Sequence, residues 1–244
     1  MAGMTDYLVV VPCIGPHWNL AGFLSTIEPE HLSHFLFIDN SKHKRLFTES
    51  ITHAGARVIK PEEGNIGVGR AWNIGLREGH EQTVLASASC RFPAGFGKWL
   101  AEADEAVTEY GLFTWLQFHL VVIGKATVDK VGLFDENFYP GGWEDNDYCR
   151  RMVLAGNLHD GSTPGHVGAG VRRPMSVISV GYSIAMNERL FEDCPTQLKE
   201  YFEAKWGGRS SQEKFSTPWG NPDHGLDYWP QHTVEQLRRK YQMQ

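Results

Sequence analysis

The chain has few cysteines, and those it has are scattered. Cys13, Cys90, Cys149 and Cys194 form no C-x-x-C pair, so neither a zinc knuckle nor a disulfide framework is indicated and reduced thiols are expected. A broad basic surplus is also missing. Lys and Arg number 23 against 29 Asp and Glu, a net charge of -6, which argues against a general polyanion binder. The clusters Lys42-His43-Lys44-Arg45, Arg172-Arg173 and Arg238-Arg239-Lys240 read as solvated faces rather than a nucleic-acid track. No apolar run reaches the length of a membrane span, because Pro12 breaks the stretch from Tyr7 to Ile14, and Gln117 and His119 break the one from Leu112 to Ile123. The first residues lack the charged and apolar sections of a signal peptide, so a cytoplasmic location is expected. Internal repeats and low-complexity linkers are absent as well.

What remains is a chain of 244 residues with 41% hydrophobic content, enough for one large core or one core with a small appendage. Short apolar runs at Tyr7–Pro12, His34–Ile38, Arg57–Lys60 and Thr83–Ala86 read as strands. Helical patterns follow them at Trp18–Ile27, Leu46–His53, Arg70–Glu78 and Ala94–Tyr110. Four strand–helix alternations predict a doubly wound, mostly parallel α/β sheet of Rossmann type with helices on both faces. Its ligand crevice would lie at the carboxyl ends of the strands, where Asp39, Asn40, Ser87 and Ser89 fall. Beyond Gly111 the alternation weakens to a strand pair, Leu112–Gln117 and His119–Ile123, a Gly-rich loop from Gly161 to Gly170 and a strand, Met175–Val180.

The densest chemistry lies in Gly141-Gly142-Trp143-Glu144-Asp145-Asn146-Asp147, led in by Phe134-Asp135-Glu136-Asn137-Phe138-Tyr139-Pro140 and followed by the apolar positions Tyr148, Met152 and Leu154. This predicts a helix whose first turn carries three carboxylates, where unpaired N–H groups and the helix dipole favour anions. Capping, with ordinary surface ion pairs from Asp147 to Arg150 and Arg151, would account for the same pattern.

Taken together, Val9-Val10-Val11-Pro12, Asp39-Asn40, Asn65-Ile66-Gly67 with Arg70 and Asn73, and Val131-Gly132-Leu133-Phe134-Asp135 leading to the acidic block resemble the family 2 glycosyltransferases. The order matches over about residues 7 to 185. The resemblance implies a GT-A fold and inverting transfer of a hexosyl or related group from a nucleoside-diphosphate sugar to an acceptor hydroxyl. It implies a catalytic domain over 1–186, with a nucleotide-sugar half to about 110 and an acceptor half from 111. An extension, 187–244, would pack on or lid the site. Pro12, Cys13, Asp39, Asn40, Gly67, Arg70, Asn73, Ser87 and Ser89 would border the donor, with Asp39 on the base or ribose. Asp145 would be the general base, with Asp147 second and Glu144 orienting the acceptor. Trp143, Lys205, Trp206 and Arg209 would serve the acceptor or a lid, and His166 would reach the diphosphate or a metal.

One departure stands out. The family's acidic metal-binding pair is replaced by Ser87-Ala88-Ser89, and hydroxyls are poor sole ligands for Mg²⁺ or Mn²⁺. A divalent metal therefore becomes dispensable, with Arg70, Lys205, Arg209 and His166 as substitute cations, or is held by His166 with an acidic-block carboxylate. The acceptor could be a glycan, a lipid-linked sugar, a protein or another hydroxyl compound. The acidic balance disfavours nucleic acid. Two rival classes stand beside this reading: a nucleotidylyltransferase, disfavoured because Pro12-Cys13-Ile14-Gly15-Pro16 is no Gly-rich basic loop, and a non-catalytic nucleotide-sugar or glycan-binding module.

Overall fold

The computed structural model describes residues 6–13, 17–41, 52, 55–110, 112–115, 117–156, 178–179 and 194–230. Strands β1 (Tyr7–Cys13), β2 (Phe35–Asp39), β3 (Arg57–Ile59) and β4 (Gln82–Ala86) are parallel. A two-stranded ribbon joins β5 (Cys90–Arg91) to β8 (Ile178–Ser179). An antiparallel pair, β6 (Leu112–Trp115) and β7 (Leu120–Gly124), completes the main sheet through β7 against β4. The main-sheet order is β3-β2-β1-β4-β7-β6.

Strand side chains alternate between two faces, and both faces are covered by helices. Tyr7, Val9, Val11 and Cys13 bury against Leu20 and Phe23 of α1 (His17–Leu24) and Phe96, Trp99 and Leu100 of α3 (Phe96–Tyr110). Leu8 and Val10 face Ala71, Trp72 and Leu76 of α2 (Val68–Leu76). The same cluster takes in Val131 of α4 (Lys125–Val131) and Tyr148 and Met152 of α5 (Glu144–Leu154). This is the doubly wound, mostly parallel Rossmann-like architecture that the alternation predicts. Helix α2 lies close on β1 because Gly75 has no side chain: a Cβ there would stand 2.1 Å from Cγ2 of Val10.

The strand order reverses between β1 and β4, so the crevice lies beyond their carboxyl ends. Cys13 and Asp39 are register partners at that edge, and Ser87 follows β4 immediately. Since β7 runs the opposite way, its start also reaches this edge, where the Ser87 N–H donates to the His119 carbonyl at 2.7 Å.

Helix α4 was not foreseen, because seven residues that include Thr127 and Val128 carry little helical signal. The expected helix over 46–53, apart from Thr52, and the Gly-rich loop 161–170 lie outside the described residues. The extension supplies α6 (Cys194–Trp206), whose Leu198, Phe202 and Trp206 form a buried cluster with Phe138. This helix is built into the core beside the acidic turn. Among the described residues no helix is long and apolar enough to cross a membrane.

Candidate active site

Two loops meet at the crevice. In the first, Asn65 Oδ1 accepts the Gly67 N–H at 2.9 Å, and the chain turns into α2. In the second, a cis peptide joins Tyr139 to Pro140, the Tyr139 hydroxyl donates to the Asn65 carbonyl at 3.0 Å, and the Pro140 carbonyl accepts the Val68 N–H at 2.9 Å. Gly67 makes this junction possible. Its φ is 83°, and a Cβ would stand 2.8 Å from the Tyr139 ring. Its place among the expected donor-binding residues thus has a packing cause.

On the other side of these loops, Asp39 is buried at the end of β2. Its Oδ1 accepts the Ser41 N–H at 3.0 Å and the Ser41 hydroxyl, and its Oδ2 accepts from Lys60 Nζ at 2.8 Å. Asn40 is buried beside it; its Oδ1 accepts the Ile66 N–H at 3.4 Å, and its own N–H donates to the Cys13 carbonyl at 2.8 Å. Pro12 is half-buried, while Cys13 is buried, and burial raises its thiol well above the ordinary range, so it stays protonated. Asn73, expected near the donor, is fully buried. It donates to the Phe134 carbonyl at 2.9 Å and to Glu136 at 3.0 Å, and accepts the Phe134 N–H at 2.9 Å, clamping α2 to the turn before the acidic block. Arg70 is partly exposed and pairs with Glu63 at 3.0 Å and Glu136 at 3.9 Å.

At the end of β4, the Ser87 and Ser89 hydroxyls hydrogen-bond each other at 2.8 Å, and Ser89 Oγ lies 3.5 Å from Nδ1 of His119. Burial lowers the His119 pKa, so this imidazole is neutral at pH 7. Two hydroxyls and one imidazole, with no carboxylate, are a poor donor set for Mg²⁺ or Mn²⁺. Among the described residues no group of three or more His, Cys, Asp or Glu could hold a metal ion. His166 lies outside the described residues.

The acidic block begins α5 as its spacing predicts, but its three carboxylates have different surroundings. Trp143, the residue before the helix, takes a left-handed φ of 71° and packs its ring against Phe202, 5.3 Å between centroids. Glu144 is buried and turned back, accepting the Gly142 N–H. Burial, and secondly the Asp145 charge, push its carboxyl up to about 8.

Asp147 is fully buried. Its Oδ1 accepts from Lys205 Nζ at 2.7 Å and Trp206 Nε1 at 2.9 Å, and its Oδ2 accepts from Arg151 Nε at 2.9 Å. The cations hold it ionised, below the ordinary carboxylate range despite its burial. A base must be reachable by the proton it takes, and Asp147 is enclosed and occupied, so the reading of Asp147 as a second candidate base gives way to a structural one. Nor is its pair with Arg151 at the surface: both side chains are fully buried.

Asp145 differs from both. It is half-buried, and among the described residues its carboxylate is held by the Asn146 N–H at 2.8 Å and by no cation. Burial raises its pKa, which strengthens it as a proton acceptor while leaving it reachable.

Lys205 and Trp206, expected at a lid, are both fully buried, with Lys205 bridging Asp147 and Asp135 at 2.7 Å each. Asp135 also accepts from the Tyr201 hydroxyl at 2.8 Å and from the Asn137 N–H at 2.9 Å. Arg209 alone of the expected lid group stays exposed, 3.7 Å from Glu203. Sequence reasoning assigned no site role to Asp135, Lys60, Tyr201 or His119, and gave Arg151 only a surface ion pair. Only the lead-in turn around Asp135 carried any signal.

The Glu144 environment predicts a pH dependence. Its folded-state pKa of about 8 lies above the ordinary 4.5, so the protonated form favours the folded state. That contribution is complete below the ordinary value and is lost as pH rises through about 8, with a slope of up to about 1.4 kcal/mol per pH unit. Glu144→Gln should flatten that slope in urea unfolding measured at pH 5, 6.5 and 8. An unchanged slope would mean that Glu144 is not the group responsible.

No model of a known protein family matches the chain. No curated protein matches it either. Among solved structures it is similar to the mannosyltransferase PcManGT from Pyrobaculum calidifontis in complex with GDP-Man and Mn2+, with 15% identity and a TM-score of 0.47 over 62% of this chain and 52% of that one. It is also similar to S. aureus TarS 1-349 in complex with UDP, with 13% identity and a TM-score of 0.46 over 62% and 56% of the two chains. A third is GalNAc-T7 with UDP, GalNAc and Mn2+, with 12% identity and a TM-score of 0.48 over 96% and 54%. The chain spans about half the length of the structures it matches.

Proposed function

We propose that this protein is an inverting glycosyltransferase of GT-A type that moves a sugar from a nucleoside-diphosphate sugar to an acceptor hydroxyl, with Asp145 as general base. The observation that carries the reading is the division of labour in the acidic block: Glu144 folds back on its own turn and Asp147 is locked in an ion network. Asp145 is left with a raised pKa and a half-open position. The acceptor oxygen attacks the anomeric carbon, its proton passes to Asp145, and the bond from that carbon to the diphosphate oxygen breaks, inverting the centre. In this reading Asp39 and Asn40, at the switch-point crevice, accept hydrogen bonds from a base or ribose with the lone pairs that Ser41, Lys60 and Ile66 leave.

The departing diphosphate needs positive charge. With Lys205 committed to buried carboxylates and Ser87-Ala88-Ser89 lacking acidic ligands, Arg70 and Arg209 are the remaining cations of the expected set within the described residues. Turnover should therefore depend only weakly on divalent metal. The test is donor hydrolysis with UDP-glucose, UDP-N-acetylglucosamine and GDP-mannose, in excess chelator and then with added Mn²⁺. A near-complete loss rescued by metal would refute the cation-compensated site. The missing acidic pair favours one rival, a non-catalytic nucleotide-sugar or glycan-binding module, and ligand-induced stabilisation without turnover under every condition would support it.

Asp39→Ala should weaken UDP or GDP binding by roughly 1–3 kcal/mol, the usual effect of leaving ligand hydrogen-bonding groups without a partner. Lys60, which loses its ion pair, is exposed enough to be solvated, so the fold should survive. Unaltered affinity by calorimetry would return Asp39 to a turn-forming role with Ser41.

A further inference from the structure

Helix α6 presents two adjoining stripes to the turn that carries the acidic block. Leu198, Phe202 and Trp206, spaced four apart, meet its entry. Leu198 is the side chain that a Cβ on Gly142 would face at 3.8 Å, Phe202 packs on Trp143, and Trp206 donates to Asp147. Tyr201 and Lys205, also four apart, meet Asp135 in the lead-in turn. Beyond α6, the Ser210 hydroxyl accepts from Asn146 Nδ2 at 3.2 Å, and the Phe215 carbonyl accepts from Arg150 at 2.9 Å. Behind the acidic turn, Arg151 ties Asp147 to the Val131 and Leu133 carbonyls at 2.9 and 2.8 Å. Asp147 is thereby gripped from α6 on one side and from the α4 end on the other.

We propose that α6 is the positioning element of the acidic helix, with Lys205 and Trp206 acting through Asp147 to set the rotation of the first turn of α5 and hence the direction of the Asp145 carboxylate. A buried charged network suits this role better than an apolar contact. Its hydrogen bonds fix one angular setting, whereas apolar packing tolerates several. Asp145 and Asp147 share that first turn, so a small rotation at Asp147 is transmitted to Asp145, and displacements near 1 Å can cost on the order of a hundredfold in rate. Lys205 and Trp206 are positioning residues and touch no substrate. The link to rate rests on the proposed glycosyl transfer; the positioning itself does not.

Two variants separate positioning from general stabilisation. Trp206→Phe keeps an aromatic ring, smaller than the indole, and removes the donor to Asp147, whereas Tyr201→Phe removes the bonds to Asp135 and from Asn137, farther from α5. Amide hydrogen exchange of Asn146, whose N–H is held by Asp145 Oδ1, reads the local geometry without any substrate. Trp206→Phe should speed this exchange about tenfold, and for the donor that the wild type hydrolyses in the panel above it should lower kcat about tenfold with KM unchanged. Tyr201→Phe should alter neither. Unchanged Asn146 exchange in Trp206→Phe, or equal changes in both variants, would overturn the positioning role. If exchange changes but kcat does not, Asp145 is not positioned for catalysis by this route. A wild type that hydrolyses no donor would instead count against the glycosyltransferase reading, and the exchange comparison would still judge the positioning.

Discussion

Asp145→Asn should lower the transfer rate on the order of a hundredfold to ten-thousandfold, the usual effect of removing a general base, while leaving nucleotide affinity and folding stability near the wild-type values. The side chain is half-buried, and among the described residues its carboxylate meets the Asn146 N–H and no cation, a contact that an amide oxygen can keep. Shape is preserved, and with the burial penalty on a charge removed, stability should hold or rise slightly. Glu144→Gln should be much milder in rate, because Glu144 is turned onto the Gly142 N–H. Single-turnover kinetics with calorimetry on the same samples checks the assignment. Equal rates for Asp145→Asn and wild type would sink it, and a parallel collapse of donor affinity would place Asp145 in binding.

Lys205→Met should destabilise the fold by about 3–5 kcal/mol at pH 7, far more than the loss of an exposed lysine. The lysine is the shared cation between Asp135 and Asp147, and neither carboxylate reaches solvent. Methionine fills much of the volume but leaves Asp135 without a cation and two like charges near each other in a low-dielectric interior. Asp135 already has its pKa raised, by burial first, even with the lysine present. In the variant both carboxylates should titrate above their unfolded values. The deficit is then largest at neutral pH and narrows as pH falls and the carboxylates take up protons. Urea unfolding of both proteins at pH 7 and pH 5 tests this. A loss below about 1 kcal/mol, or a gap independent of pH, would show that Lys205 is not holding these charges.

Both expectations concern the same few residues, and the sequence treated them unequally. Strand alternation at Leu8, Val9, Val10 and Val11 made the sheet readable, because period-two burial on two covered faces leaves continuous apolar runs. The helix at Glu144 was equally readable from a Gly-Gly break followed by carboxylates and an apolar stripe. Within that helix the first-turn carboxylates look alike in sequence. Asp147 and Arg151, an i,i+4 pair, read as surface charges, since nothing local reveals that a helix more than forty residues later covers them. Asn73 read as a donor contact for a similar reason: its partners, Phe134 and Glu136, are distant in sequence.

By itself, then, the sequence determined the α/β sheet, the crevice at the ends of β1, β2 and β4, the helix that begins at Glu144 and the absence of an acidic pair at Ser87-Ala88-Ser89. These follow from periodicity, turn chemistry and composition, which act over a few residues. Only the tertiary structure decided which carboxylate of the acidic block stays accessible and that Lys205 and Trp206 lie beneath the block as its support. Charge state and accessibility depend on what packs against a group. For Asp147 that surrounding includes Lys205 and Trp206 of α6, whose approach no local pattern encodes.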